Sequence, residues 1–151
     1  MVTKYKTLLE GGVPTLVKER SYKESGILST PLAVVDVLNN CFQLNRETEE
    51  HVYLLCTNTK HRCVGVFEVA HGTVDASSIG VREVLMKALL CGAVGIIVAH
   101  NHPSGDSTPS HYDDNATERI KNGADAVGIR LNDHIIVGNG NYYSYMEGGK
   151  L

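Results

Sequence analysis

The chain has no tryptophan, two phenylalanines and four prolines among its 151 residues, and no long apolar run. A membrane-spanning helix needs about 20 consecutive apolar residues, so none is expected. The opening segment MVTKYKTLLEGGVPTLVKERSYKES has no apolar stretch of the kind that begins a secretory signal, and the expected location is the cytoplasm. Four cysteines stand at 41, 56, 63 and 91 without any Cys-x-x-Cys pair, so neither a zinc ribbon nor a thioredoxin-type motif is supported. Cys56 and Cys91 lie in apolar surroundings and read as small core hydrophobes, and the inferred compartment argues against disulfides. Basic charge is not in excess: 14 Lys and Arg against 17 Asp and Glu give −3. Nucleic-acid binders carry a basic patch or stripe, whereas here the only local enrichment is Lys4, Lys6, Lys18, Arg20 and Lys23. That set reads as a solvated arm, so nucleic-acid binding is expected to be weak at most. Absence of His-x-Glu and Pro-Cys-x-x-Cys excludes the zinc-dependent nucleoside deaminases.

What is present describes a single α/β domain of ordinary composition, without repeats or low-complexity segments. Residues 1–27 are polar and broken by Gly11-Gly12 and Pro14; they read as an N-terminal arm with one short strand, ahead of a domain over 28–151. Thr30-Pro31 has the form of a helix start, with Thr30 as N-cap and Pro31 at the first helical position. Leu32, Val35, Leu38 and Phe42 continue as a helical stripe. Strands are predicted at 51–57 and 62–70, joined by a turn through Asn58 and His61 as a hairpin. A second helix over 80–91 is capped by Ser77 or Ser78, turns Val81, Val84, Leu85, Ala88 and Leu89 inward, and ends at Gly92. The apolar run 93–99 reads as an interior strand buried on both faces. A third helix runs from Ser110 to about Asn122. A last hairpin pairs 134–137 with 142–145 through a type I′ turn at Asn139-Gly140. Helices and strands interleave, which predicts a sandwich with a mixed sheet flanked by helices.

The chemistry concentrates in HNHPSGDSTPSHYD, which begins at His100 directly after the interior strand. Residues i and i+2 of a strand share a face, so His100 and His102 can address one ion while the following loop returns a carboxylate. Three protein ligands with one open position describe a catalytic zinc site; structural sites close all four. Two unpaired imidazoles at the end of so apolar a strand are otherwise costly. Ser110-x-x-Asp113 has a second reading as a capping box, and the two roles are compatible. Asp106 and Asp114 are the competing carboxylates. Asp114 points about 100° away around the helix, and Asp106 sits in the tight turn.

His-x-His, seven residues, Ser, two residues, Asp resembles the metal signature of the JAMM (MPN+, JAB) metalloproteases. HNHPSGDSTPS, the preceding VREVLMKAL and the following LNDHIIVG are closer still to the bacterial RadC-like branch, and the likeness covers roughly residues 28–147. The resemblance implies a JAB1/MPN-like, cytidine-deaminase-like sandwich. It implies one zinc ion per chain on His100, His102 and Asp113, and Ser110 beside the activated water, where its hydroxyl assists the oxyanion. Full-length RadC proteins usually carry a helix-hairpin-helix region ahead of this domain; residues 1–29 are too short for one, which weakens an inference of DNA repair.

Such hydrolysis also needs an acid–base group off the metal. Glu47, Glu49, Glu50, Glu68 and Glu83 are the candidates. Glu83 precedes Lys87 by four residues and reads as a surface pair, and Glu68 lies mid-strand. JAMM enzymes carry their glutamate at the start of the first core strand, which by resemblance assigns the role to Glu50, with Glu49 one register step away. His134 reads as a hydrogen-bonded partner rather than a ligand. His111 reads as solvent-facing, and His51, His61 and His71 as turn residues. The expected function is a zinc metallohydrolase cleaving a peptide or isopeptide bond in an unidentified peptide or protein. The alternative is an accessory role in DNA metabolism with a structural or vestigial metal.

Overall fold

In the computed structural model, which describes residues 1–73 and 79–151, seven strands form one mixed sheet. The elements are β1 (Val2–Glu10), β2 (Val13–Tyr22), α1 (Pro31–Phe42), β3 (Glu50–Thr57), β4 (Cys63–Gly72), α2 (Val81–Leu90), β5 (Gly95–Asn101), α3 (His111–Ala126), β6 (Arg130–Val137) and β7 (Tyr142–Ser144). They lie in the order β2-β1-β4-β3-β5-β6-β7. β5 and β6 run parallel across the α3 connection, β1 and β4 meet in parallel, and the remaining neighbours are antiparallel. Helices cover both faces, as the interleaved pattern predicts.

α1 begins as read: Thr30 Oγ1 accepts the Ala33 N–H at 3.2 Å, and Pro31 opens the helix. It seals one face of the sheet with Val34, Val35, Leu38 and Phe42 over Tyr53, Leu55 and Ile97; Leu32 of the expected stripe is instead exposed. α2 and α3 seal the other face with Val84, Ala88, Ala116 and Ile120 over Val52, Leu54, Ile96 and Val98. β5 is buried along its whole length, the condition for an apolar run between two sheet neighbours. Leu89 of α2 is also exposed rather than inward. Gly92 follows α2 at φ +69°, the left-handed conformation a helix C-terminus favours. The expected caps Ser77 and Ser78 lie outside the described residues.

Three local expectations are corrected. The N-terminal segment carries two long strands rather than one short strand, and Val2 is part of the core under α1. Gly11 and Gly12, both at positive φ, form the two-residue turn between Glu10 and Val13 that a hairpin's twist requires, so the glycines join strands rather than interrupt them. The β6–β7 turn is not type I′: Gly140 has φ +73°, but Asn139 is not at positive φ. Its geometry is set from outside, because the Gly105 carbonyl accepts the Asn139 N–H at 3.0 Å and an Asn141 side-chain N–H at 3.1 Å. His51 and His71 are strand residues in register rather than turn residues.

Candidate metal centre

The alternation of β5 decides what its C-terminal end presents. Ile96 and Val98 face the α2–α3 side, so His100 does as well, at the edge of the core. His102 N–H continues the parallel ladder to the Val137 carbonyl at 2.9 Å, and the Gly105 N–H turns back to the His102 carbonyl at 2.9 Å. The chain then enters α3 through a complete capping box: Ser110 Oγ accepts the Asp113 N–H at 3.1 Å, and Asp113 Oδ2 accepts the Ser110 N–H at 2.8 Å. Capping and convergence coexist. Asp113 Oδ1 lies 3.0 Å from His100 Nε2, Asp113 Oδ2 lies 3.1 Å from His102 Nε2, and the two Nε2 atoms are 3.1 Å apart.

The outer nitrogens settle the tautomers. His102 Nδ1 donates to the Asp106 carbonyl at 2.8 Å, an acceptor only. Thr117 Oγ1 donates its single proton to the Asp113 carbonyl at 2.7 Å, so it accepts from His134 Nδ1. His134 is fully buried, and burial together with the neighbouring His100 holds its pKa well below the ordinary value. Its Nε2 is therefore a bare acceptor for His100 Nδ1–H at 2.9 Å. Both ring protons are committed outward. With both rings neutral, two Nε2 lone pairs and two carboxylate oxygens face one point with no donor among them; a proton gained at Nε2 and donated to Asp113, or a metal ion, satisfies that arrangement.

The electrostatics agree. Burial opposes ionisation of Asp113, yet hydrogen bonds and charge from His100 and His102, with the Ser110 N–H, hold its carboxyl far below the usual range. The Asp113 hydrogen bond raises the His102 pKa against its own desolvation, helped by the Asp106 carbonyl and the charges of Asp113 and Glu50. Donor spacings of 3.0–3.1 Å are close to the roughly 3.3 Å between ligands of a tetrahedral ion at 2.0–2.1 Å. His100, His102 and Asp113 thus fit a borderline divalent cation such as zinc.

The competing carboxylates are engaged elsewhere. Asp106 Oδ1 accepts from Thr108 N at 2.9 Å and Thr108 Oγ1 at 2.7 Å, and Asp114 Oδ1 accepts the Tyr145 hydroxyl at 2.7 Å.

Strand parity sorts the glutamates. Glu50 precedes Val52 by two and Val52 is the register partner of His100, so Glu50 shares that face, and its charge acts on His102. It borders a cleft of about 550 Å³ with Pro103. Glu68 pairs in register with Tyr53 on the opposite face, where it meets His51 Nδ1 at 2.6 Å. Glu49 is bound to His71 at 2.7 Å and Glu47 to His51 at 3.3 Å. Glu83 is exposed and pairs with Arg82 at 3.6 Å, not with Lys87. His111 lies exposed at the start of α3.

Asn101, between the two histidines, belongs to the site although the motif does not mark it. It is 2 % exposed; its Oδ1 accepts the His51 N–H at 2.8 Å and its Nδ2 donates to the Glu49 carbonyl at 2.9 Å. One side chain therefore clamps the backbone on both sides of Glu50. The available signal was a buried amide at a strand end, which must have both its groups paired.

Comparison with known proteins agrees with this architecture. The family model of the RadC-like JAB domain matches residues 28–150, and the chain belongs to that family. A UPF0758 protein of Actinobacillus pleuropneumoniae is 40 % identical over 109 residues, 71 % of this chain and 50 % of that protein. UPF0758 proteins of Thermotoga maritima and Clostridium acetobutylicum are 40 % and 37 % identical, covering 78 % and 87 % of this chain and 53 % and 58 % of their own lengths. The chain thus spans about half the length of these curated relatives. Among the described residues, no helix is long and apolar enough to cross a membrane.

Proposed function

We propose that the chain is a zinc-dependent hydrolase of peptide or isopeptide bonds, acting on a peptide or protein substrate in the cytoplasm. The observation that carries this reading is the convergence of His100 Nε2, His102 Nε2 and Asp113 at 3.0–3.1 Å with both ring protons committed outward, on the face that also carries Glu50. Zinc, when bound, supplies Lewis acidity and brings the pKa of a water down to about 7.

The chain's own residues supply the rest. Glu50, at the mouth of the cleft, accepts a proton and returns it to the leaving amine. Ser110 Oγ spends a lone pair on the α3 cap, which leaves its hydroxyl proton free to donate to a developing oxyanion. A second cleft of about 470 Å³ runs past His102 toward Arg46 and Asn139, offering room on the other side of Pro103 for an extended chain.

Metal analysis of the purified protein tests the site, and a screen with peptide and isopeptide libraries tests the chemistry. One tightly held zinc per chain is expected, and that tight equivalent is lost in His102→Ala and in Asp113→Ala; a tight equivalent retained by both variants overturns the assignment. The accessory reading, with a structural metal, forecasts that chelation unfolds the chain. A hydrolytic site on this core leaves the metal-free protein folded, because the two apolar layers do not include the ligands.

A further inference from the structure

On the opposite face of the sheet, β3 and β4 carry a second group of metal-ligating side chains. His51 and His71 are register partners whose rings stack at 4.1 Å with planes 16° apart. Glu68 Oε1 lies 2.6 Å from His51 Nδ1, and Glu49 Oε2 lies 2.7 Å from His71 Nε2. One ligand atom from each of His51, Glu68 and His71 falls within 4.8 Å of the other two. This set is separate from the first: His51 follows the parity of Tyr53 and Leu55, which pack under α1, whereas His100 follows Ile96 and Val98.

The backbone is adjusted to make the group. Residues 68 and 71, three apart on one strand, would ordinarily face opposite sides. The register between β3 and β4 shifts between Val52 and Tyr53, so that Ala70 opposes Val52 while Glu68 opposes Tyr53. The extra residue, Val69, turns Glu68 onto the same side as His71. Bulges of this kind re-aim side chains beside functional sites.

From this geometry we infer that His51, His71 and Glu68 form a second site for a borderline divalent transition-metal ion of the zinc, cobalt or nickel class, with Glu49 as an additional carboxylate. Two imidazoles and a carboxylate suit those ions, whereas calcium and magnesium prefer all-oxygen shells. Tetrahedral coordination needs donors about 3.3 Å apart, so binding requires the exposed His71 and Glu49 side chains to rotate and His71 to leave the stack on His51. That rotation and the exposure make this site the weaker of the two.

Cobalt(II) titration of the metal-free full chain, followed by equilibrium dialysis and visible spectroscopy, tests the inference. Two equivalents are expected in the wild type. His71→Asn should retain only the tighter equivalent, and Asp113→Asn only the weaker, with thermal melting confirming the fold of each. A wild type that takes up a single equivalent overturns the second site, as does a second equivalent that survives both His71→Asn and His51→Asn. Failure of the first site is separately visible, as an Asp113→Asn variant that still binds two.

Discussion

His134 Nε2 lies 2.9 Å from His100 Nδ1, and the proton between them belongs to His100. The assignment follows from Thr117, whose hydroxyl is spent on the Asp113 carbonyl and leaves His134 Nδ1 as the donor to it. His134 therefore acts on the candidate metal site through His100, by fixing which nitrogen faces His102 and Asp113.

Replacing His134 with Leu should lower zinc affinity by about 10–100-fold, the range for losing an outer partner of a ligating histidine. Nitrogen-15 correlation of the imidazoles gives a reading independent of affinity. In the metal-free wild type His134 should appear as the Nδ1–H tautomer, and it should stay neutral under mild acid. His134→Gln keeps an acceptor near His100 and should restore part of the affinity. Equal affinity in wild type and His134→Leu contradicts the role.

Acidification should weaken metal binding, beginning above the ordinary imidazole pKa of about 6.5, because Asp113 raises the pKa of His102. Below that pKa each displaced proton costs roughly tenfold in affinity per pH unit. In the metal-free protein two histidines oppose each other: buried His134, whose pKa is lowered, costs stability as pH falls below the unfolded imidazole value, whereas His102, whose pKa is raised, adds stability there. A raised folded-state pKa stabilises at pH below the unfolded value, and the gain is lost as pH climbs through the folded value. Asp113, held low, keeps its charge until strongly acid conditions and adds no slope near neutrality. Melting temperatures measured from pH 5 to 8 with and without zinc should therefore diverge as pH rises. Parallel curves count against the site.

Glu50→Gln should leave zinc content and fold unchanged and reduce hydrolysis by at least about a hundredfold, the low end for a positioned acid–base group. Glu83→Gln should be nearly silent. Asn101→Leu removes the clamp on Glu49 and His51 and should lower turnover while zinc remains bound; Asn101→Asp, which keeps only the acceptor, should fall between. Turnover measured with a substrate from the library screen, beside zinc content, separates these outcomes. Loss of activity in Glu83→Gln with none in Glu50→Gln reassigns the carboxylate.

DNA binding should be weak and non-specific at physiological salt, given a net charge of −3 and a basic set already partly engaged. Lys4 lies 3.2 Å from Glu19 and 3.7 Å from Glu68, and Arg20 stacks over Tyr22. Fluorescence titration giving submicromolar affinity contradicts this. Neutralising Lys18 and Lys23 is the suitable control, because truncating β1 removes Val2 from the core.

The clearest signals in the sequence were those in which chemistry and position coincide. Thr30-Pro31 marked the α1 start, the run before His100 marked the buried strand, and the His-x-His…Ser-x-x-Asp spacing marked residues that do converge. The N-terminal hairpin was hidden because few of its side chains are buried, so no period-2 pattern forms, and Gly11-Gly12 resembles a break. His51 and His71 were hidden because a bulge, which leaves no mark in residue order, brings Glu68 and His71 to one face. Asn101 looked like a spacer because its partners, Glu49 and His51, lie about fifty residues earlier.

The centre takes its parts from the start of β3, the end of β5, the first turn of α3 and the middle of β6. No two of these are joined by a short connection except through the loop 103–110. During synthesis, a chain that has reached residue 110 has both imidazoles but no third ligand, and the partner that orients His100 arrives only with β6. The three converging side chains and the imidazole that orients His100 are therefore all present only once residues 130–137 have been made. A chain that ends before β6 thus carries the converging side chains without the buried partner that fixes the His100 ring.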